Sequence, residues 1–120
     1  MPQSNPTETR IASVYKDENG IIIITMKNCG VVDEMDVIDL NLVIRHKSQH
    51  RAAYKLLDAR ANWNMDIKAK EQAKVENSIS VTKARAIVVS NTIRAALLKF
   101  IEGFNKFDYP QRIFTDRGKA

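Results

Sequence analysis

The side chains with the widest chemical range in this chain of 120 residues are two histidines, one cysteine and a scatter of carboxylates. His46 and His50 stand four apart, so a helix running through both would bring them to one face, as a two-histidine metal site requires. Their surroundings oppose this. Arg45, Lys47 and Arg51 make the stretch cationic, which repels a divalent ion, and Lys47 stands where an HExxH motif needs glutamate. Both are read as surface histidines, with no metal and no other cofactor expected. Cys29 has no partner for an internal disulfide, and a lone cysteine is read as a small buried hydrophobe rather than a nucleophile. An acid–base pair would have to come from Asp58 with His46 or His50. The four glycines, at 20, 30, 103 and 118, are ungrouped, which excludes a P-loop or a dinucleotide fingerprint. An enzyme is the last-ranked reading.

Two loops are better candidates for binding. Asp58-Ala59-Arg60-Ala61-Asn62-Trp63 and Ser90-Asn91-Thr92-Ile93-Arg94 each follow an apolar strand-like run and precede a helix-like one. In open parallel sheets, ligands and partners gather at the carboxyl ends of strands. A helix N-terminus there offers N–H groups to an anion, and Arg60 and Arg94 would add charge-assisted bonds. The residues that would carry partner or ligand binding are therefore Asp58, Arg60, Asn62, Trp63, Ser90, Asn91 and Arg94. The plainer reading is that Asp58 and Ser90 satisfy local backbone groups and Trp63 plugs the edge of the core.

The elements that must position these loops are legible from periodicity. Residues 1–9 are polar, with two prolines and no apolar pattern, and read as a flexible lead into a single domain over 10–120. A short strand over 10–16 meets the turn Asp17-Glu18-Asn19-Gly20, where Asn and Gly tolerate the positive φ of a hairpin. The run over 21–27 is apolar on both faces, as a central strand requires. Asn28-Cys29-Gly30 breaks it. Asp33 caps a helix reaching about His46, with Glu34 and Asp36 in its first turn and an apolar stripe of Met35, Ile38 and Leu42 flanked by Val37, Leu40 and Ile44. A strand over 53–58 ends on Asp58. The helix over 67–78 is rich in Lys, Ala, Glu and Gln, with a thin apolar stripe of Ile67, Val75 and Ile79. A strand over 84–89 precedes a helix in which Ile93, Leu97, Phe100, Ile101 and Phe104 share one face. Residues 111–115 close the chain's strand set. The order β-β-α-β-α-β-α-β predicts one α/β domain with a mostly parallel sheet and an opening β-hairpin.

Composition sets outer bounds. The chain is 44% hydrophobic and 28% charged, which fits a globular domain and excludes wholesale disorder. No apolar run approaches the roughly 20 residues of a membrane span. With no apolar signal core in the first twenty residues, the cytoplasm is the expected compartment. The net charge of +5 comes from 19 basic and 14 acidic residues spread along the chain, a solvated surface rather than a basic tail. Lys68, Lys70 and Lys74 alternate with Glu71 and Glu76, and only Trp63 stands near them, so a nucleic-acid surface is not expected.

In this order of elements, particular stretches resemble the STAS domains, the SpoIIAA-like fold of the anti-sigma-factor antagonists, and most of all small uncharacterised bacterial members. The resemblance rests on Asn19-Gly20-Ile21-Ile22-Ile23, on Leu56-Leu57-Asp58 and on Arg85-Ala86-Ile87-Val88-Val89-Ser90. It is most specific in Phe100-Ile101-Glu102-Gly103-Phe104-Asn105-Lys106, then Tyr109-Pro110 and Arg112-Ile113-Phe114-Thr115-Asp116. In the sigma-factor regulators, an aspartate in the strand–helix loop is followed two places later by a serine that a kinase phosphorylates. Aligned on Asp58, this chain has Arg60 there, and no Ser or Thr lies between Asp58 and Ile67, so that switch has no acceptor at this position. The resemblance also implies a last helix after Thr115 and Asp116, where only four residues follow.

The function expected is a non-catalytic, regulatory, cytoplasmic module that captures a protein partner through the 58–66 loop and the helix start behind it. The alternative is a carrier or sensor of a small anionic or apolar ligand, walled by Ile93, Leu97, Phe100 and Phe104. A homodimer through an exposed edge of the opening hairpin is compatible with either.

Overall fold

A computed structural model of the chain describes residues 5–49, 51–61, 63–79, 82–89 and 111–114. Strands β1 (Thr7–Glu8), β2 (Ala12–Lys16), β3 (Ile22–Met26) and β4 (Gly30–Val32) precede helix α1 (Glu34–Lys47). Strands β5 (Ala53–Asp58) and β6 (Trp63–Met65), helix α2 (Ile67–Ile79) and strands β7 (Thr82–Val88) and β8 (Gln111–Phe114) follow. The main sheet has the order β1-β2-β3-β5-β7-β8, antiparallel across β1, β2 and β3 and parallel from β3 to β8. This is the mixed α/β domain with a mostly parallel sheet that the alternation of elements predicts.

Register explains why these strands form one core. Val14 faces Ile24, Ile24 faces Leu57, Leu57 faces Ile87 and Ile87 faces Ile113, so one apolar row crosses five strands on a single face. Val37 and Ile44 of α1 and Ala69 of α2 join the same buried cluster, so both helices cover that face. The row nearer the amino ends of β3, β5 and β7 reads Lys16, Ile22, Lys55, Arg85 and Gln111. The covered face thus turns cationic at one end.

Local chemistry sets the boundaries. In the hairpin, Asp17 O accepts from Gly20 N at 3.1 Å and Asp17 Oδ1 accepts from the amides of Asn19 and Ile21, both at 2.9 Å. Only Gly20 takes positive φ, +82°, so Asn19 does not need the left-handed freedom assigned to it above. Asp33 caps α1: its Oδ1 accepts from Asp36 N at 2.8 Å while Asp36 Oδ2 accepts from Asp33 N at 3.0 Å.

The structure departs from the sequence reading in four places. Within the segment read as a loose lead, Thr7–Glu8 pairs with β2, and Lys27 Nζ bonds both Thr9 O and Glu8 Oε2. The Asn28-Cys29-Gly30 break leads into β4, which pairs in parallel with β6 as a two-stranded sheet, Gly30 opposite Trp63 and Val32 opposite Met65. Helix α2 turns two residues of its expected apolar stripe outward, Ile67 at 74% exposed and Val75 at 51%, while Ala69 is buried and Ala73 packs on the core. A helix whose inward positions are alanines lies close to the sheet, and the bulkier side chains then have room only outside. The broad stripe of α1 divides likewise, Val37, Leu40 and Ile44 inward and Met35 and Leu42 outward. The helix expected over Ile93 to Phe104 and the one implied after Asp116 lie outside the described residues.

Candidate functional site

Asp58 closes β5 and is buried beneath the loop that follows. Thr25 and Val88 flank it in the neighbouring strands, so it sits at the carboxyl end of the parallel sheet, where a site is expected. Arg60 folds back onto it: Nε donates to Oδ1 at 2.9 Å, Nη2 to Oδ2 at 2.7 Å, and the Arg60 amide to Oδ1 at 3.3 Å. This is the bidentate guanidinium–carboxylate geometry, closed within three residues. The charge expected to receive an outside anion is directed instead onto the carboxylate two residues before it. Proximity in sequence makes the internal partner the cheaper one to order.

Trp63 is half-buried, its indole Nε1 donating to Ala59 O at 3.1 Å and its ring packing against the core. Ala59 N in turn donates to Val88 O at 2.8 Å, so the loop is stitched to the end of β7. The plainer role foreseen for Trp63, plugging the core edge, is the one its contacts describe. Asp66 caps α2 by accepting from Ala69 N at 2.7 Å. One of the N–H groups offered to an anion at this helix start, that of Ala69, thus already meets a carboxylate. Asn62, Ser90, Asn91 and Arg94 lie outside the described residues, although β7, which leads to the second loop, runs beside β5.

The other chemical candidates fall apart in space. Helix α1 begins at the carboxyl end of β3 and is 14 residues long, so His46 lies about 18 Å along its axis, towards the opposite end of the sheet from Asp58. Asp58 and His46 do not form an acid–base pair, and His50 lies outside the described residues. Cys29 is half-buried, and its carbonyl accepts from Arg10 Nη1 at 3.1 Å. Among the described residues, no three His, Cys, Asp or Glu side chains gather in a metal-binding group. Among them too, no helix is long and apolar enough to cross a membrane.

With this arrangement in view, comparison with known proteins is informative. The profile of a family described as "Domain of unknown function (DUF7793)" matches residues 15–120. The chain belongs to the DUF7793 family. No curated protein matches it. Among solved structures it is similar to the crystal structure of an uncharacterised protein of the DUF3478 family, with a SpoIIAA-like fold, from Shewanella loihica PV-4. The two share 12% identity with a TM-score of 0.68, over 91% of this chain and 88% of that one. The likeness shows the fold: this DUF7793 chain is a SpoIIAA-like, STAS-like α/β domain.

The same DUF7793 fold holds two groupings that reading along the sequence missed. Arg10 joins the start of β2 to the N-terminus of α1: Nε donates to Asp36 Oδ1 at 2.9 Å, Nη2 bonds Asp36 Oδ2, and Nη2 also donates to Val31 O at 2.8 Å. The guanidinium holds the Asp36 carboxyl below the usual carboxylate range, with burial opposing. The second grouping is Lys55 with Arg85 and Arg45. No motif spacing marks either, because their members are dispersed along the sequence; only Lys55 and Arg85, each two residues before an apolar residue of the core row (Leu57 and Ile87), carry a trace of it.

Proposed function

We propose that this chain is a non-catalytic, cytoplasmic, regulatory module that captures a protein partner at the end of the domain built from the 58–66 loop, β4 and the starts of α1 and α2. The observation that carries this reading is a set of outward apolar side chains where the fold could have buried them. Of the six most exposed large hydrophobic residues among those described, five belong to β4, α1 and α2: Val31, Met35, Leu42, Ile67 and Val75. Val31 (60% exposed), Met35 (58%) and Ile67 (74%) each lie within three residues of the paired β4 and β6. Grouped apolar exposure on an otherwise charged surface is the usual mark of a protein interface.

The electrostatics favour a protein over a free anion. Arg60 is engaged by Asp58 and the Ala69 amide in the first turn of α2 by Asp66, so the guanidinium and one helix-start N–H of this loop are answered internally. Their role is to hold the loop in one shape, which lowers the ordering cost of binding. Regulation by phosphorylation at the position known from the sigma-factor regulators is not part of the proposal, because Arg60 occupies it.

The test is native mass spectrometry of the tagged chain isolated gently from its own host. The expected result is an added polypeptide mass that disappears in Ile67→Asp and Val31→Asp, with both variants still folded by circular dichroism. An added mass retained by both variants, or no added polypeptide at all, overturns this surface. An added small-molecule mass would replace it with the ligand carrier.

A further inference from the structure

Helix α1 carries a second apolar stripe that the core does not use. At 3.6 residues per turn, Met35, Ile38 and Leu42 share one face, turned away from Val37, Leu40 and Ile44, which pack into the core. Met35 and Leu42 are more than half exposed, and Ile38 is half-buried. The same spacing puts Glu34 along one side of this stripe and Asp39 along the other, both exposed. Among the described residues no hydrogen bond or ion pair holds either carboxylate, and the exposed lysines of α2 do not reach them.

Charge on this stretch runs against that of the whole molecule. The chain carries +5, yet residues 28–44 hold four carboxylates, Asp33, Glu34, Asp36 and Asp39, and no lysine or arginine. Arg10, which reaches in from the start of β2, is engaged by Asp36 and by the carbonyls of Cys29 and Val31. Arg45, at the far end of α1, is paired with Glu76. Asp33, Glu34 and Asp39 are left to set the local field. The stripe is thus apolar along its middle and anionic along both sides. Such a surface repels nucleic acid and anionic lipid headgroups and attracts a cationic protein segment.

Shape selects a helix over a strand. Asp66 N donates to Val32 O at 3.2 Å, so the polar groups of Val31 turn away from β6, and there Arg10 Nη2 holds Val31 O at 2.8 Å. A strand added beside β4 would have to displace that guanidinium. Met35 and Leu42, two turns and about 10 Å apart, instead match the i, i+3, i+4 and i+7 anchors of a docked helix. We propose that the partner docks on α1 through an amphipathic helix whose apolar side covers Met35, Ile38 and Leu42 and whose flanking lysines or arginines meet Glu34 and Asp39. This rests on the reading of α1, β4 and α2 as a protein-docking surface and names the chemistry of what docks there.

The probe is a fluorescent synthetic helix of about 18 leucines and lysines, with leucine at helical spacing. One control has glutamate for every lysine, and the other has the same composition in scrambled order. Titrated with the full chain, the lysine helix should bind at least about tenfold more tightly than the glutamate one, the reverse of what a net charge of +5 favours. The scrambled peptide should bind more weakly than the ordered one. Met35→Ser with Leu42→Ser should weaken the lysine helix about tenfold. Glu34→Gln with Asp39→Asn should abolish the preference, and Glu34→Lys with Asp39→Lys should reverse it, all variants being checked for folding by circular dichroism. Equal affinity for the lysine and glutamate helices overturns the proposal, as does a lysine-helix affinity that Met35→Ser with Leu42→Ser leaves unchanged. In capture from the host, a polypeptide lost from Ile67→Asp but kept by Glu34→Lys with Asp39→Lys overturns the cationic helix alone. One kept by both Ile67→Asp and Val31→Asp overturns the docking surface itself.

Discussion

Arg10 and Asp36, 26 residues apart in sequence, meet side by side, with Arg10 Nε 2.9 Å from Asp36 Oδ1 and Nη2 on Oδ2. Because the same guanidinium bonds the carbonyls of Cys29 and Val31, it ties the opening hairpin to β4 and to the capped start of α1. The Asp36 carboxyl is held below its ordinary range by Arg10, so its stabilising contribution is complete above the unfolded carboxyl's pKa of about 4 and fades as pH falls through the lower folded value. Arg10→Met should therefore lower the urea midpoint at neutral pH, and the gap from wild type should close as the pH falls towards about 2. A gap that is the same at both pH values would show that the carboxylate is not what Arg10 stabilises.

Arg45 and Glu76 bridge the two helices, and Glu76 is buried and also receives Gln72 Nε2 at 3.1 Å. Removing the cation alone strands a buried carboxylate, so Arg45→Met should cost about 3 kcal/mol in urea unfolding. The double change Arg45→Met with Glu76→Leu should recover most of it, since an apolar pair of similar volume avoids the desolvation cost. Additive losses in the double-mutant cycle would contradict a direct pair.

The rotation of α2 about its axis is directly testable. Ile67→Asp should change unfolding free energy by less than about 0.5 kcal/mol, because the side chain is already in water. Ala69→Leu should cost about 2 kcal/mol, because no space exists between α2 and the sheet. The reverse order would mean that the helix presents its isoleucine to the core.

Helix α1 ends with Gln49 at φ +55°, the left-handed position that follows the C-cap Ser48, with its amide donating to His46 O at 3.1 Å. A non-glycine residue there carries steric strain that Gly relieves, less the entropy Gly adds to the unfolded chain. Gln49→Gly should raise stability by about 0.5–1 kcal/mol, read as a higher urea midpoint at unchanged slope.

Much of this protein was legible before any fold was known, because the forces involved are local or periodic. The all-apolar run around Ile22 to Ile24 demanded a central strand, Asp33 with Asp36 announced a capped helix, and Asp17 to Gly20 announced a turn. Their order implied a mostly parallel sheet and placed Asp58 at its carboxyl end. Other features depend on which residues of distant strands and helices face one another, and only tertiary packing decided those. Pairing of Gly30–Val32 with Trp63–Met65 needs two short segments, each too short to signal alone, held at one height by α1 and α2. Arg60 looked available until its backbone geometry turned it onto Asp58, and Ile67 looked like a core residue until Ala69 took the sheet-facing position. Lys55, Arg85 and Arg45 are unremarkable cations in sequence; the register of β5 with β7 and the placing of α1 over the sheet bring them near one another, and burial first, then the two neighbouring guanidinium charges, lower the pKa of the lysine.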